Sequence, residues 1–274
     1  MPRKQITKKC VFDKFYTNNN IAKELSLKIK SYVDDGYMFI EPSAGNCAFY
    51  DNFTNILGYD IEPTEYAIKR GVKKTDWLNV EMNFEYEKIC VLGNPPFGER
   101  NNLSNKFIEK SISCDRVDVI AFILPEVYDK FNMQKVFPSN WDLLYEEKIP
   151  HNAFILNGEP YHVPCKFYIW KKNIITGKRA IKLKEFCDDF QFCNKIEHPD
   201  FFIFGASPGK IIMVDDVKPT NRGYYVKSKI DTNELIKKIS SIDWKEYGKS
   251  CVNGGAFWMS KGEIVKGYEN YYGK

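Results

Sequence analysis

Cys90-Val91-Leu92-Gly93-Asn94-Pro95-Pro96-Phe97-Gly98 is the stretch on which the reading of this chain turns. The apolar run from Ile89 to Leu92 has the length and branching of a strand buried on both faces, as in a parallel sheet. It stops at two consecutive prolines, each of which fixes φ and lacks an N–H donor. Each proline also pushes the residue before it, Asn94 and Pro95, toward extended geometry. The stretch therefore predicts a stiff loop at the carboxyl edge of a sheet, the edge at which open α/β folds bind ligands. There Asn94 offers an amide oxygen, Pro95 a carbonyl and Phe97 a flat ring. A plain proline-rich turn explains the tetrad equally well, so the surrounding chain has to decide.

Upstream, apolar residues at helical spacing (Ile21, Ala22, Leu25, Ile29, Val33) lead into a predicted strand at Tyr37 to Ile40, which runs into Glu41-Pro42-Ser43-Ala44-Gly45-Asn46-Cys47. A second strand, Ile56 to Tyr59, ends at Asp60-Ile61. A helix from Thr64 to Arg70 and a weak strand at Val72 to Thr75 end at Asp76-Trp77. Downstream, Asn101 to Cys114 reads as helix and Val117 to Leu124 as a central strand. Glu126 to Val136 reads as a short helix, His151 to Pro164 as a long loop, and Trp141 to Lys148 and Lys166 to Trp170 as strands. Strands alternating with helices predict a doubly wound, Rossmann-like α/β sheet. Past the polar, turn-rich segment at Lys171 to Arg179 the pattern changes. A helix near Leu183 to Phe190, strands at Phe201 to Phe204, Ile211 to Val214 and Tyr224 to Lys227, and a helix at Asn233 to Ile242 predict a small α+β appendage. Ser260 with Glu263 three residues on forms a capping box for a last helix. The expected domains are 1–175 and 176–274.

The 274 residues are 43% hydrophobic and 15% aromatic, ample for a folded core. No apolar run approaches the ~20 residues of a membrane span. The first residues are polar and basic without an apolar core, so no secretory signal is visible and a cytoplasmic, non-secreted protein is expected. The eight cysteines (10, 47, 90, 114, 165, 187, 193, 251) include no Cys-x-x-Cys pair, and the three histidines are not at ligand spacing near them. Reduced, mostly structural thiols are expected, with no metal. Lys171 to Lys274 holds 19 Lys and Arg against 13 Asp and Glu, a net +6 that leaves −2 for the rest. A basic carboxyl-terminal third suits a polyanionic partner. Arg179, Lys210, Arg222, Lys227 and Lys229 are the candidate phosphate contacts, each also readable as a solvated surface residue. Gly205-Ala206-Ser207-Pro208-Gly209-Lys210 lacks the spacing and the hydroxyl of a phosphate loop and reads as a strand-to-strand turn.

Acidic residues recur at three successive predicted strand ends. The Gly45-containing turn after Glu41 allows close approach of backbone to a ligand. Asp60 is placed to accept from ribose hydroxyls, and Asp76 from an exocyclic amine with Trp77 covering the ring. In order, these residues resemble the class I S-adenosylmethionine-dependent methyltransferases, specifically the amino-methyltransferases of adenine N6 in DNA. Phe15-Tyr16-Thr17 is similar to their upstream motif, Glu41 to Phe49 to the first cofactor motif, Asp60-Ile61 to the ribose and adenine contact and Asp76-Trp77 to the adenine-amine contact. Asn94-Pro95-Pro96-Phe97 resembles the [D/N]-P-P-[Y/F/W] catalytic motif, in the γ order with target recognition at the carboxyl end. Two departures are Cys47, where glycine is common, and Asn18, where proline is frequent.

The resemblance implies S-adenosylmethionine as cofactor, held by Tyr16, Thr17, Glu41, Ser43, Gly45, Asp60, Ile61, Asp76, Trp77 and Asn94. It implies Asn94, Pro95, Pro96 and Phe97 as the catalytic set, with the flipped base stacked on Phe97, and DNA as substrate. The alternatives are an RNA adenosine-N6 methyltransferase, acting for instance at a transcript's 5′ end, a protein-glutamine methyltransferase, and a catalytically silent nucleic-acid-binding subunit. An appendage of this size implies a short target or a contribution from a dimer or recognition partner.

Overall fold

The computed structural model describes residues 15–247 and 258–273, so Cys10 and Cys251 lie outside the described residues. The chain forms two compact units, Met1–Ala180 and Ile181–Lys274. The first begins with β1 (Tyr16–Thr17), α1 (Asn19–Lys30) and β2 (Met38–Glu41). It continues through β3 (Ile56–Asp60), α2 (Glu65–Lys69), β4 (Lys73–Lys74) and β5 (Ile89–Gly93). Then come α3 (Asn102–Ile112), β6 (Val117–Pro125), α4 (Phe131–Gln134) and β7 (Trp141–Lys148). The hairpin β8 (Phe154–Leu156) and β9 (Glu159–Tyr161) precedes β10 (Cys165–Lys172).

Seven of these strands form one sheet in the order β4-β3-β2-β5-β6-β10-β7. Strands β4, β3, β2, β5 and β6 pair in parallel, and β10 runs antiparallel to both β6 and β7. The expected doubly wound α/β architecture is thus observed. Every residue of β5 is buried, as are all but one of β6, which explains their near-continuous apolar sequence. Successive strands run outward from β2 to β3 and β4, then return to β5 on the other side of β2 and continue to β6. This reversal places a switch point between the carboxyl ends of β2 and β5, the position at which open α/β sheets bind ligands. Among the described residues no helix is long and apolar enough to cross a membrane.

The second unit is a four-stranded antiparallel sheet, with β11 (Phe190–Cys193), β12 (Phe201–Phe204), β13 (Ser207–Met213) and β14 (Gly223–Ser228). Its order is β11-β14-β12-β13. Helices α5 (Thr232–Ser241) and α6 (Lys261–Tyr272) complete it. Phe190, Phe201, Ile203 and Val226 of the sheet share one core with Leu235 and Ile239 of α5 and Ile264, Val265 and Tyr268 of α6. Ser260 and Glu263 make the reciprocal bonds of the capping box ahead of α6.

Four local expectations are corrected. His151 to Pro164 holds a β-hairpin, not a structureless loop. Its Asn157-Gly158 turn has φ of 53° and 84°, the pair of left-handed residues that matches strand twist. The expected helix at Leu183 to Phe190 is absent. Its apolar side chains make no continuous buried stripe, since Lys184, Glu185 and Phe186 are exposed, and Phe190 instead pairs with Ser228 in the sheet. Glu126 to Val136 is a single 3-10 turn at Glu126–Asp129 and the short α4, separated by the extended Lys130. The boundary between units falls after Ala180 rather than after residue 175. Asp142 Oδ2 accepts from the backbone N–H groups of Thr176 (2.7 Å) and Gly177 (3.2 Å), tying this segment to the first unit.

Arg179 completes that tie, and its expected role as a phosphate contact is corrected. Its guanidinium donates to the carbonyls of Gln134 (2.9 Å), Pro138 (2.7 Å), Trp141 (2.9 Å) and Phe137, and lies over the Trp170 ring. A planar five-donor fork spent on four carbonyls has little left for a polyanion. Replacing Arg179 by Ala is expected to lower unfolding free energy by about 3 kcal/mol. Lys should restore less than half of it, because one ammonium cannot span four acceptors; urea denaturation measures both.

Candidate active site

The crevice is built from the loops that leave β2, β3 and β5, closed on one side by β1. Glu41 ends β2 and is 2% exposed. It packs against the end of β5: a Cβ built on Gly93 would lie 3.2 Å from Glu41 Cγ, and Gly93 has φ of 130°. Only glycine suits both the conformation and the space there. The Tyr50 backbone N–H donates to the Glu41 carboxyl, while Oε2 is buried without a partner. Burial, with the nearby Asp60 and Asp51, pushes this carboxyl well above the usual range.

The turn after Glu41 is locked from several sides. Gly45 has φ of 50° and donates its N–H to Asp60 Oδ2 at 2.8 Å. A side chain at 45 would meet the Tyr16 ring at 3.1 Å, so β1 covers this glycine. Asp60 Oδ1 accepts from the Glu62 N–H at 2.7 Å, and Ile61 beside it is 50% exposed. Ser43 donates its hydroxyl to the Asn94 carbonyl at 3.0 Å, joining the β2 loop to the tetrad. Thr17 is 4% exposed and pairs with Phe154. Cys47, the departure from glycine, has φ of 69° and is fully buried against Ala44, Ala67 and Val72. Its thiol is pushed up to about 12, chiefly by burial.

Asn94 is the centre of the site. Its Nδ2 donates to the Phe15 carbonyl at 3.1 Å, and its Oδ1 is buried without a partner. The loop beyond is pinned by α3: the Phe97 carbonyl accepts from the Leu103 N–H at 3.2 Å and the Ser104 N–H at 3.4 Å. Ser104 Oγ also reaches the Pro96 carbonyl at 3.3 Å, and Pro95 is buried.

The structure brings Tyr16, Glu41, Ser43, Gly45, Asp60 and Asn94 into one contact network, while other expected roles look different. Phe97 is 2% exposed, so its ring is enclosed by protein and presents no open face to a base. Trp77 is 1% exposed and tilted against Tyr59, with Nε1 buried and unpartnered. Asp76 caps the turn that follows it, accepting from the Leu78 N–H and the Asn79 side chain. In the second unit Lys227 donates to the His198 carbonyl and Asp200, and Lys229 to the Cys187 carbonyl. Each ammonium keeps at least one further N–H, and Lys229 is exposed. Lys210 and Arg222 are exposed.

Sequence reasoning missed Phe154 and Tyr161, whose rings flank Phe15 at centroid distances of 6.2 and 5.1 Å. The Asn-Gly pair at 157 and 158 was the signal for the hairpin that carries them. Two hollows elsewhere, one lined by Tyr50, Asp51 and Arg70 and one by Met82, Phe84 and Arg116, lack such converging buried polar atoms. Among the described residues no group of three His, Cys, Asp or Glu side chains could hold a metal ion, and the six described cysteines are unpaired.

No protein-family model matches the chain. It is similar to Protein ENHANCED DOWNY MILDEW 2 of Arabidopsis thaliana, at 23% identity over 85% of this chain and 20% of that protein. The chain thus spans about a fifth of the length of this curated relative. Among solved structures it is similar to a candidate RNA methyltransferase from Pyrococcus horikoshii, at 18% identity, covering 60% of this chain and 88% of that one, with a TM-score of 0.46. It is also similar to the modification subunit of a candidate type I restriction enzyme from Vibrio vulnificus, at 10% identity, 91% and 59% coverage and a TM-score of 0.44.

Two outcomes follow from this geometry. A carboxyl raised in the folded state stabilises fully below its unfolded pKa, and that contribution is lost as pH rises toward the folded value. Glu41→Gln should therefore flatten the decline of stability above about pH 5, which otherwise approaches 1.4 kcal/mol per pH unit; denaturation at a series of pH values reads it. Cys47→Gly should stay within about 1 kcal/mol of the parent, since lost packing offsets relieved left-handed strain, whereas Cys47→Val should cost more than about 2 kcal/mol in thermal unfolding.

Proposed function

We propose that the crevice between β2 and β5 binds S-adenosylmethionine and that the protein methylates the exocyclic N6 amine of adenine in nucleic acid, with DNA as the substrate. The observation that carries this reading is Asn94: an amide oxygen buried without a partner at the switch point, its nitrogen held by the Phe15 carbonyl. An unsatisfied buried acceptor costs free energy unless a ligand completes it.

The residues present fit the cofactor. Glu41 Oε2, a buried carboxyl oxygen lacking a partner, suits an ammonium group, and the Gly45 turn suits close approach of a ligand to backbone. Tyr16, Ser43, Asp60 and Ile61 line the same loops, whereas Asp76 caps its own turn and Trp77 is enclosed by protein. S-adenosylmethionine supplies an electrophilic methyl group on a sulfonium.

The chain's own contribution is positioning and electrostatics. An adenine amine is a poor nucleophile because its lone pair is delocalised into the ring. Asn94 Oδ1 and the Pro95 carbonyl accept from its two N–H groups, which favours a tetrahedral nitrogen and localises the lone pair. The methylated nitrogen is cationic and loses a proton to water, so no general base is required. Pro96 keeps the loop stiff, and Phe97, enclosed by protein, packs that loop rather than serving as an open platform. Lys210, Arg222, Lys227 and Lys229 are the candidates for contact with the polyanion. Reach to a base in duplex DNA requires flipping.

Asn94→Ala is expected to lower methyl transfer from radiolabelled cofactor to adenine-containing DNA by about 10²–10³-fold while leaving cofactor affinity within a few-fold. Matched RNA and DNA oligonucleotides in the same assay identify the polymer. Undiminished transfer by Asn94→Ala would remove the basis of the mechanism.

A further inference from the structure

We infer that Tyr161 is a positioning residue for Asn94, acting through Phe15: the hairpin holds the carbonyl that decides which end of the Asn94 amide faces the crevice. The inference rests on the methyl-transfer reading above. A primary amide has nearly the same shape after a half-turn, but the turn exchanges an acceptor for a donor. Shape therefore does not orient Asn94. Its orientation comes from the bond between Nδ2 and the Phe15 carbonyl at 3.1 Å, which leaves Oδ1 as the buried acceptor without a partner. Turned over, the same residue would present N–H groups to an amine that has N–H groups of its own.

What holds the Phe15 carbonyl is the hairpin. Beyond Phe15, Tyr16 pairs with Ile155 and Thr17 with Phe154, and the Asn18 N–H donates to the Ala153 carbonyl at 2.8 Å. These bonds fix the backbone after Phe15. Phe15 itself is fixed by its ring, which tilts against Phe154 and stacks nearly parallel on Tyr161, 5.1 Å between centroids and 5° between planes. Tyr161 ends β9, the outer strand of the small sheet β1-β8-β9, where its neighbours Glu159 and Pro160 are exposed. The ring is only half-buried, so its removal takes away the stack rather than a piece of the main core. A stack of this kind biases a two-state equilibrium by up to about tenfold.

The test uses the full chain, radiolabelled S-adenosylmethionine and an adenine-containing oligonucleotide. Tyr161→Ala is expected to lower kcat about tenfold, with cofactor Kd and oligonucleotide KM within twofold of the parent. Tyr161→Phe keeps the stack and should keep the rate. Phe15→Ala should show the same loss, and the double variant should be no slower than either single one, because both act on one carbonyl. Wild-type kcat in Tyr161→Ala overturns the inference. So do losses that multiply in the double variant, which would mean that Tyr161 touches the substrate itself, and so does a loss appearing in cofactor Kd. Phe15→Leu fills space without stacking and should behave as Phe15→Ala, keeping the test valid if the Ala variant fails to fold. A wild-type chain that transfers no methyl group overturns the methyl-transfer reading, and this inference with it.

Discussion

Strands β2 and β5 pair in parallel through Met38↔Ile89 and Ile40↔Val91, yet the chain leaves them toward opposite edges of the sheet. Loops that diverge in this way mark the switch point, the position at which open α/β sheets bind ligands. Both informative motifs sit on those two loops: Glu41 to Cys47 after β2, and Asn94 to Gly98 after β5. The Ser43 hydroxyl bonded to the Asn94 carbonyl spans the gap and makes the two loops one structure.

Several of the costs in this fold fall on these two loops. Glu41 is a buried acid, Asn94 has a buried acceptor without a partner, and Cys47 holds a left-handed conformation. The neighbouring strands β5 and β6, by contrast, are almost uniformly buried and apolar. Buried polar atoms without partners also occur at Asp118, Trp170 and Ser228; what sets these two loops apart is that a buried acid, a buried amide oxygen and a left-handed cysteine lie on them together. Glu41 is the clearest case, since burial and two nearby acids both disfavour its charge.

Most of the sheet was legible because hydrophobic runs with abrupt polar stops mark buried strands whatever their surroundings. The helix expected at Leu183 to Phe190 failed because Lys184, Glu185 and Phe186 are exposed and its last residue, Phe190, pairs with Ser228 of β14, a partner far along the chain. The hairpin at Phe154 to Tyr161 was legible in Asn157-Gly158. Charge was the least readable signal. Arg179 looks like a surface cation in sequence, but four main-chain carbonyls occupy its guanidinium. A count of charges cannot see carbonyls.

By itself the sequence determined the strand order's raw material and the chemistry available at each strand end. Pro95 and Pro96 stiffen their loop in any context, because their effect on φ and on the preceding residue is covalent. Tertiary structure alone decided how those groups are presented. It enclosed Phe97, which the sequence offers as a flat face, and it turned the Asn94 amide by placing the Phe15 carbonyl 3.1 Å from its nitrogen. An amide carries both a donor and an acceptor, and only a neighbour brought from elsewhere in the chain can choose between them.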